Sequence, residues 1–168
     1  CGSGRKSLAG WQYSISGCTF TSDNALLMPP YDNEYKLAAF DLKNVERVRI
    51  GVTGAAPNII ENSTFGIKME NSGAEVWNNE FDEINNNINS TFWADGSAIL
   101  LMNDNNLLDR SLQVGLEGVN PSNTFTKAEF GIIGFGECNY KIYNNRFGHA
   151  SNGPGDAIEN LCIGLINT

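Results

Sequence analysis

The chain has 168 residues, 41% of them hydrophobic and only 18% charged, and carries a net charge of −8. That is enough chain for one domain with a core. Its eleven basic residues form no run beyond Arg5-Lys6, which excludes a nucleic-acid track built from clustered Lys and Arg, and no apolar run approaches the length that spans a bilayer.

Polarity comes instead from 23 Asn and 18 Gly. Both tolerate the left-handed backbone of tight turns. Frequent turns between short apolar runs point to an all-β fold. No stretch holds capped apolar residues at helical spacing for more than two turns. In chain order, Cys1-Gly2-Ser3-Gly4 would suit the acylated start of a bacterial lipoprotein. A repeat pattern begins by Trp11 with almost no tether, so the expectation is a cut from a longer chain.

The first patterned segment is Ile15-Ser16-Gly17-Cys18-Thr19-Phe20: an apolar residue, any residue, Asn or Gly, two small or polar residues, then Phe. An insertion near 21–36 follows, with a rigid extended Met28-Pro29-Pro30-Tyr31-Asp32. Leu37 to Leu42 and Val48 to Val52 then alternate with period two, the mark of half-buried strands. Arg47 and Arg49 share one strand face. The six-residue pattern returns as Ile60-Glu61-Asn62-Ser63-Thr64-Phe65, and again as Val76-Trp77-Asn78-Asn79-Glu80-Phe81.

Between these copies lies an alternating run opened by Gly66-Ile67, with Ile67 and Met69 on one face. A second insertion occupies 82–96. Ser97 to Asn103 is another alternating run, and a polar loop runs from 104 to 112. A degenerate copy ends at Phe125, and Gly131-Ile132 opens the next alternating run. The clearest late copy is Ile142-Tyr143-Asn144-Asn145-Arg146-Phe147. A weaker one is Ile158 to Ile163, and the chain stops in mid-pattern at Ile163 to Thr168.

Openings near residues 37, 66, 97, 131 and 157 have a solenoid's spacing. Each rung is too small to bury its apolar face alone, and stacking at ~4.8 Å places like residue above like. Ile and Phe then line the interior. The central Asn marks a corner and stacks as a ladder between rungs. The expected fold is an all-β, right-handed parallel β-helix of about five to six rungs with loop insertions. It forms a single domain over 1–168, a fragment lacking one or both caps. A β-sandwich would not need Asn at a fixed place.

The Val76 and Ile142 copies, with the openings at Gly66 and Gly131, resemble the right-handed parallel β-helix repeat of the pectin-lyase-like superfamily. The resemblance covers about residues 11–168. It implies the fold, and a family that spans polysaccharide lyases, glycoside hydrolases, phage tailspikes, adhesins and surface proteins without catalysis. Fold alone does not choose among these.

The superfamily's polygalacturonase-like members share an Asn-Thr-Asp stretch, adjacent Asp residues, Gly-His-Gly and Arg-Ile-Lys. Here the one histidine stands in Gly148-His149-Ala150 and the other three stretches are missing. Asp82-Glu83 are neighbours on a strand and point to opposite faces, whereas glycoside hydrolysis needs facing carboxylates. Pectate-lyase-like members would use Ca²⁺. The candidate ligands are Asp104 and Asp109, in a loop with Asn103, Asn105 and Arg110; the plainer reading, which the residues favour, is a polar loop with a capping Asp. Asp41 and Glu70 sit at comparable strand offsets, but no third acid extends that row.

Trp77 and Tyr143 precede the Asn in their copies and should point outward on one lateral face, with Glu61 and Glu159 at the equivalent position. They are the candidate carbohydrate-binding residues, since sugars stack on aromatic rings; each could instead pack beneath a loop. Cys1, Cys18, Cys138 and Cys162 form no C-x-x-C pair, so zinc is not expected, and they read as buried thiols or as a disulfide of unknown connectivity.

The expected function is a non-catalytic segment of an extracellular or bacterial cell-surface protein: a stalk, adhesin or glycan-binding surface. The alternative is part of a polysaccharide lyase or glycoside hydrolase. No cofactor is expected beyond the Ca²⁺ alternative. The expected partners are a glycan or cell-surface ligand and the rest of the parent chain. Neither nucleic acid nor a membrane span is expected.

Overall fold

A computed structural model describes residues 3–7, 10–21, 38–84, 94–103, 110–119, 122–136, 138–148 and 163–166. Among these residues there is no helix. Short strands separated by Asn and Gly corners build three sheets, each gathering one strand from every turn. The first sheet holds β2 (Gly10–Ile15), β5 (Val48–Ile50), β8 (Ala74–Val76), β11 (Ser111–Val114) and β14 (Asn139–Ile142). The second holds β3 (Thr19–Thr21), β6 (Asn58–Ser63), β9 (Asn79–Ile84), β12 (Asn123–Phe125) and β15 (Arg146–Phe147). The third holds β4 (Ala38–Lys43), β7 (Phe65–Glu70), β10 (Ser97–Met102), β13 (Phe130–Phe135) and β16 (Ile163–Ile166).

All pairings between these strands are parallel. The described residues therefore stack five three-strand turns, as a parallel β-helix does. One strand departs from this order. β1 (Ser3–Ser7) lies antiparallel on β2 and occupies that edge of the first sheet.

Like stands on like inside. Ile15, Ile50, Val76, Val114 and Ile142 are in register along the first sheet, and Phe20, Ile60, Phe81, Phe125 and Phe147 along the second. The Phe81 and Phe125 rings stack at 4.7 Å and those of Phe125 and Phe147 at 4.6 Å. Phe40, Ile67, Ile99 and Ile132 line the third sheet. Burial of each such side chain contributes roughly 1.5–3 kcal/mol, so the interior is the main favourable term.

The corners between first and second sheets use the left-handed backbone at Gly17 (φ 63°), Asn78 (φ 59°) and Asn144 (φ 47°), as the pattern suggests. The Asn78 amide donates to the Val52 and Ala55 carbonyls at 2.8 and 3.0 Å. The ladder lies one residue later than expected. Asn58 donates to Asn79 at 2.8 Å, Asn79 to Asn123 at 3.0 Å, and Asn123 to Asn145 at 2.8 Å. Each also donates to a first-sheet carbonyl one turn back, at 3.0 Å: Ile15, Ile50, Val76 and Val114 respectively. Cys18 stands at the head of the column, its backbone N–H donating to Asn58 Oδ1. Cys18 itself is buried, its thiol donating to the Ser16 carbonyl at 3.5 Å, and Cys138 is a free thiol. Cys1 and Cys162 lie outside the described residues.

Register corrects three expectations. Ile60 to Phe65 does not repeat Val76 to Phe81: Ile60 faces Phe81, and Phe65 faces Ser97 and Ala38 in the third sheet. The second turn has a wide first corner, Gly51 to Pro57, so its six-residue match falls on the next corner, where Asn62 (φ 53°) stands beside Glu83 (φ 52°). Glu61 consequently faces Asp82 rather than sharing the Trp77 column. Ile163 faces Ile132 in the third sheet, so it opens a strand rather than closing a six-residue copy. Asp41 faces Lys68, while Glu70 faces Lys43 and pairs with it at 3.6 Å, so the two acids never formed a row.

Tight and wide corners alternate, which makes the repeating unit two turns long. Gly51-Val52-Thr53-Gly54 returns as Gly115-Leu116-Glu117-Gly118, with all four glycines at positive φ. Phe65-Gly66-Ile67 returns as Phe130-Gly131-Ile132, and Trp77-Asn78-Asn79 as Tyr143-Asn144-Asn145. A Cβ on Gly51 would lie 1.6 Å from the Trp77 carbonyl oxygen, and one on Gly115 would lie 1.8 Å from that of Tyr143.

Two outcomes follow for urea unfolding. Asn79→Ala removes a fully bonded buried amide and should cost about 2–4 kcal/mol, with Asn145→Ala, at the half-buried end of the ladder, costing less. Gly51→Ala should cost more than Gly54→Ala, because both need positive φ but only Gly51 has backbone against it. Equal losses for Gly51 and Gly54 would refute the close-packing argument.

Candidate functional site

Two places on the outside carry unusual chemistry. The first is the corner between first and second sheets. Trp77 follows β8, and its backbone N–H donates to the Ile50 carbonyl, as Tyr143 does to that of Val114. Gly51 and Gly115 occupy the same rung position on the wide turns, through the Ile15 and Val76 carbonyls. Two aromatic residues therefore share one column about 10 Å apart, two strand spacings, with a glycine between them.

Their surroundings differ. Tyr143 is half-buried. Trp77 is 7% exposed and stands outside the interior clusters, with the Arg49 guanidinium 4.8 Å from its ring centroid. Arg49 is fixed in turn by Glu75, which accepts from its Nε at 2.9 Å and its Nη2 at 2.6 Å, while Arg47 pairs with the other carboxylate oxygen. Arg47 and Arg49 do share a face, as their spacing implies, and both serve one nearly buried carboxylate. Burial, followed by repulsion from Arg47, lowers the Arg49 pKa; arginine remains charged at neutral pH all the same. Gln113 and Lys141 continue the Arg49–Glu75 row on the next two turns.

The second place is a cleft of about 420 Å³ at the corner where β3 ends and β4 begins. Thr19, Thr21, Glu61 and Ser63 supply polar groups; Phe20, Ala38 and Ala39 supply apolar wall. Ser63 is 3% exposed and its Oγ has no hydrogen-bond partner. A buried hydroxyl left so costs about 1–3 kcal/mol. Glu61 stands in register between Thr21 and Asp82, and Asp82 Oδ1 is likewise buried without a partner. The sequence pattern had put Glu61 on the aromatic column and gave no signal for Ser63, because an unsatisfied hydroxyl is a property of packing.

Asp104, Asp109 and His149 lie outside the described residues. Asn103, at the head of the loop proposed for Ca²⁺, is buried, and its Oδ1 accepts from the Ser72 backbone N–H at 3.1 Å. Among the described residues no group of three or more His, Cys, Asp or Glu side chains is placed to hold a metal ion. Burial pushes the Cys138 thiol up to about 11 and the Tyr140 phenol up to about 12. Neither is ionised near neutral pH, so Cys138 is not an activated nucleophile. Compared with protein-family models, curated proteins and solved structures, the chain matches none.

Arg49→Ala should uncover Trp77. With Trp11 and Trp93 replaced by Phe, iodide quenching of the remaining tryptophan should rise and stability should fall by roughly 1–2 kcal/mol from the lost cation–π contact and packing. Unchanged quenching would mean that Arg49 does not cover the ring.

Proposed function

We propose that the chain is a stretch of right-handed parallel β-helix of the pectin-lyase-like kind, serving without catalysis in a bacterial extracellular or cell-surface protein as a stalk, adhesin or glycan-binding surface. The observation that carries this reading is the two-turn repeat of the corner at Trp77 and Tyr143. A surface repeating at about 10 Å suits a polymer that repeats on a similar scale, as a chain of sugar rings does. Tyr143 offers ring surface, the exposed Lys141 offers a donor on the same turn, and Trp77 holds Arg49 in place. The interior ladder keeps successive corners at fixed separation, so a bound polymer meets a pre-organised row.

A specific observation favours the hydrolase alternative. Glu61 and Asp82 are acids in register on neighbouring strands, the kind of pair that glycoside hydrolysis uses. Titrating the chain with neutral and uronate oligosaccharides, with and without Ca²⁺, and analysing the mixtures for new reducing ends or unsaturated products separates the readings. The expected result is saturable binding that Tyr143→Ala weakens at least tenfold, with no product. Product release that Glu61→Gln or Asp82→Asn abolishes would overturn the non-catalytic reading.

A further inference from the structure

We infer that the cleft beside Ser63 is a second binding site, for a single neutral sugar ring or a polyol of that size. It stands apart from the aromatic corner and does not rest on it. Ser63 Oγ is nine-tenths buried and partnerless at the cleft wall. Natural structures rarely leave such a group unpaired, which makes Ser63 Oγ the group of this wall for a ligand hydroxyl or a water to complete.

The other walls narrow the chemistry. Thr19 and Thr21 are exposed strand residues whose hydroxyls both donate and accept. Glu61 adds a carboxylate, which accepts strongly from ligand hydroxyls and repels an anion. No Lys or Arg is among the described wall residues, so the described wall offers a phosphate, sulfate or uronate no counter-charge. Phe20, Ala38 and Ala39 give the apolar patch that the C–H face of a pyranose prefers. The volume of about 420 Å³ falls within the range of small-molecule sites and takes one ring with its first hydration waters rather than an extended chain. These features define a neutral, hydroxyl-rich ligand with one apolar face.

Ser63 also provides a test that distinguishes ligand binding from a structural role. The probes are the methyl glycosides of glucose, galactose and N-acetylglucosamine, with glucuronate as the charged control, titrated calorimetrically into the whole chain. At least one neutral glycoside should bind saturably and glucuronate at least tenfold more weakly. Ser63→Ala removes an unsatisfied buried hydroxyl, so its melting temperature should hold or rise while affinity falls fivefold or more. Thr21→Val, at an exposed position, should weaken binding without changing stability, and Glu61→Gln should narrow the discrimination against glucuronate. Tyr143→Ala should leave all of this unchanged, so failure at the aromatic corner would not be mistaken for failure here. Absence of saturable binding by every neutral probe would overturn the inference. So would wild-type affinity in Ser63→Ala, or a marked loss of its melting temperature.

Discussion

The structure depends on one constraint: backbone carbonyls at the corner between first and second sheets must be paired away from water at every turn. A buried unpaired carbonyl costs as much as a lost hydrogen bond. Asn58, Asn79, Asn123 and Asn145 meet this need with the same geometry four times. Each amide has two N–H donors, one for a carbonyl of the previous turn and one for the next amide in the column. At Asn79, Asn123 and Asn145 the side-chain oxygen accepts from the amide before it, and at Asn58 and Asn123 it accepts from a backbone N–H of the previous turn. Aspartate or threonine could not fill the column, since neither carries two donors. Its fixed position sets the register of the strands that follow, which in turn stacks Phe81, Phe125 and Phe147.

This constraint also explains why corners can vary in length without disturbing the core. The chain between Ile50 and Asn58, or between Val114 and Asn123, is free to bulge outward provided that it returns an Asn to the column. The following tight turn then closes the bulge, Asn78 binding the Val52 and Ala55 carbonyls and Asn144 that of Leu116. Gly51 and Gly115 let each wide turn pass directly against the backbone of the tight one. Alternation thus has a steric basis: a wide turn carries the glycine, and its tight neighbour can then carry a large side chain such as Trp77 or Tyr143.

Strands and their facing were legible in the sequence wherever alternation was strict. Ile67 and Met69, alternating with Lys68 and Glu70, show their inward faces directly. The left-handed corners at Asn78 and Asn144 were legible too, because Asn before a polar residue and Phe has few other uses. Register was not legible on the wide turns. Ile60 to Phe65 matches the six-residue pattern letter for letter, but only pairing with β9 reveals that its Asn belongs to a different corner. Phe65 accordingly leaves the Phe column and joins Leu100 and Ile133 in a separate apolar cluster on the third sheet. The burial of Trp77 was hidden for a related reason: strand alternation gives a side chain's direction, while its cover comes from Arg49, far away in sequence.

The break in the Phe column bears on where the cleft lies. From the third turn to the fifth, the second sheet stacks Phe on Phe with interplanar angles of 4° and 15°. The second turn puts Ile60 in that column, so Phe20 above it has no ring to stack on. It tilts instead against Phe40 of the third sheet, at 58° and 4.6 Å. That places the Phe20 ring at the wall between β3 and β4, where the cleft opens over Ser63 and Glu61. A phenylalanine at position 60 would continue the stack and draw Phe20 back over it. The substitution that makes the column least regular thus coincides with the one described site where a buried hydroxyl is left for something outside the chain.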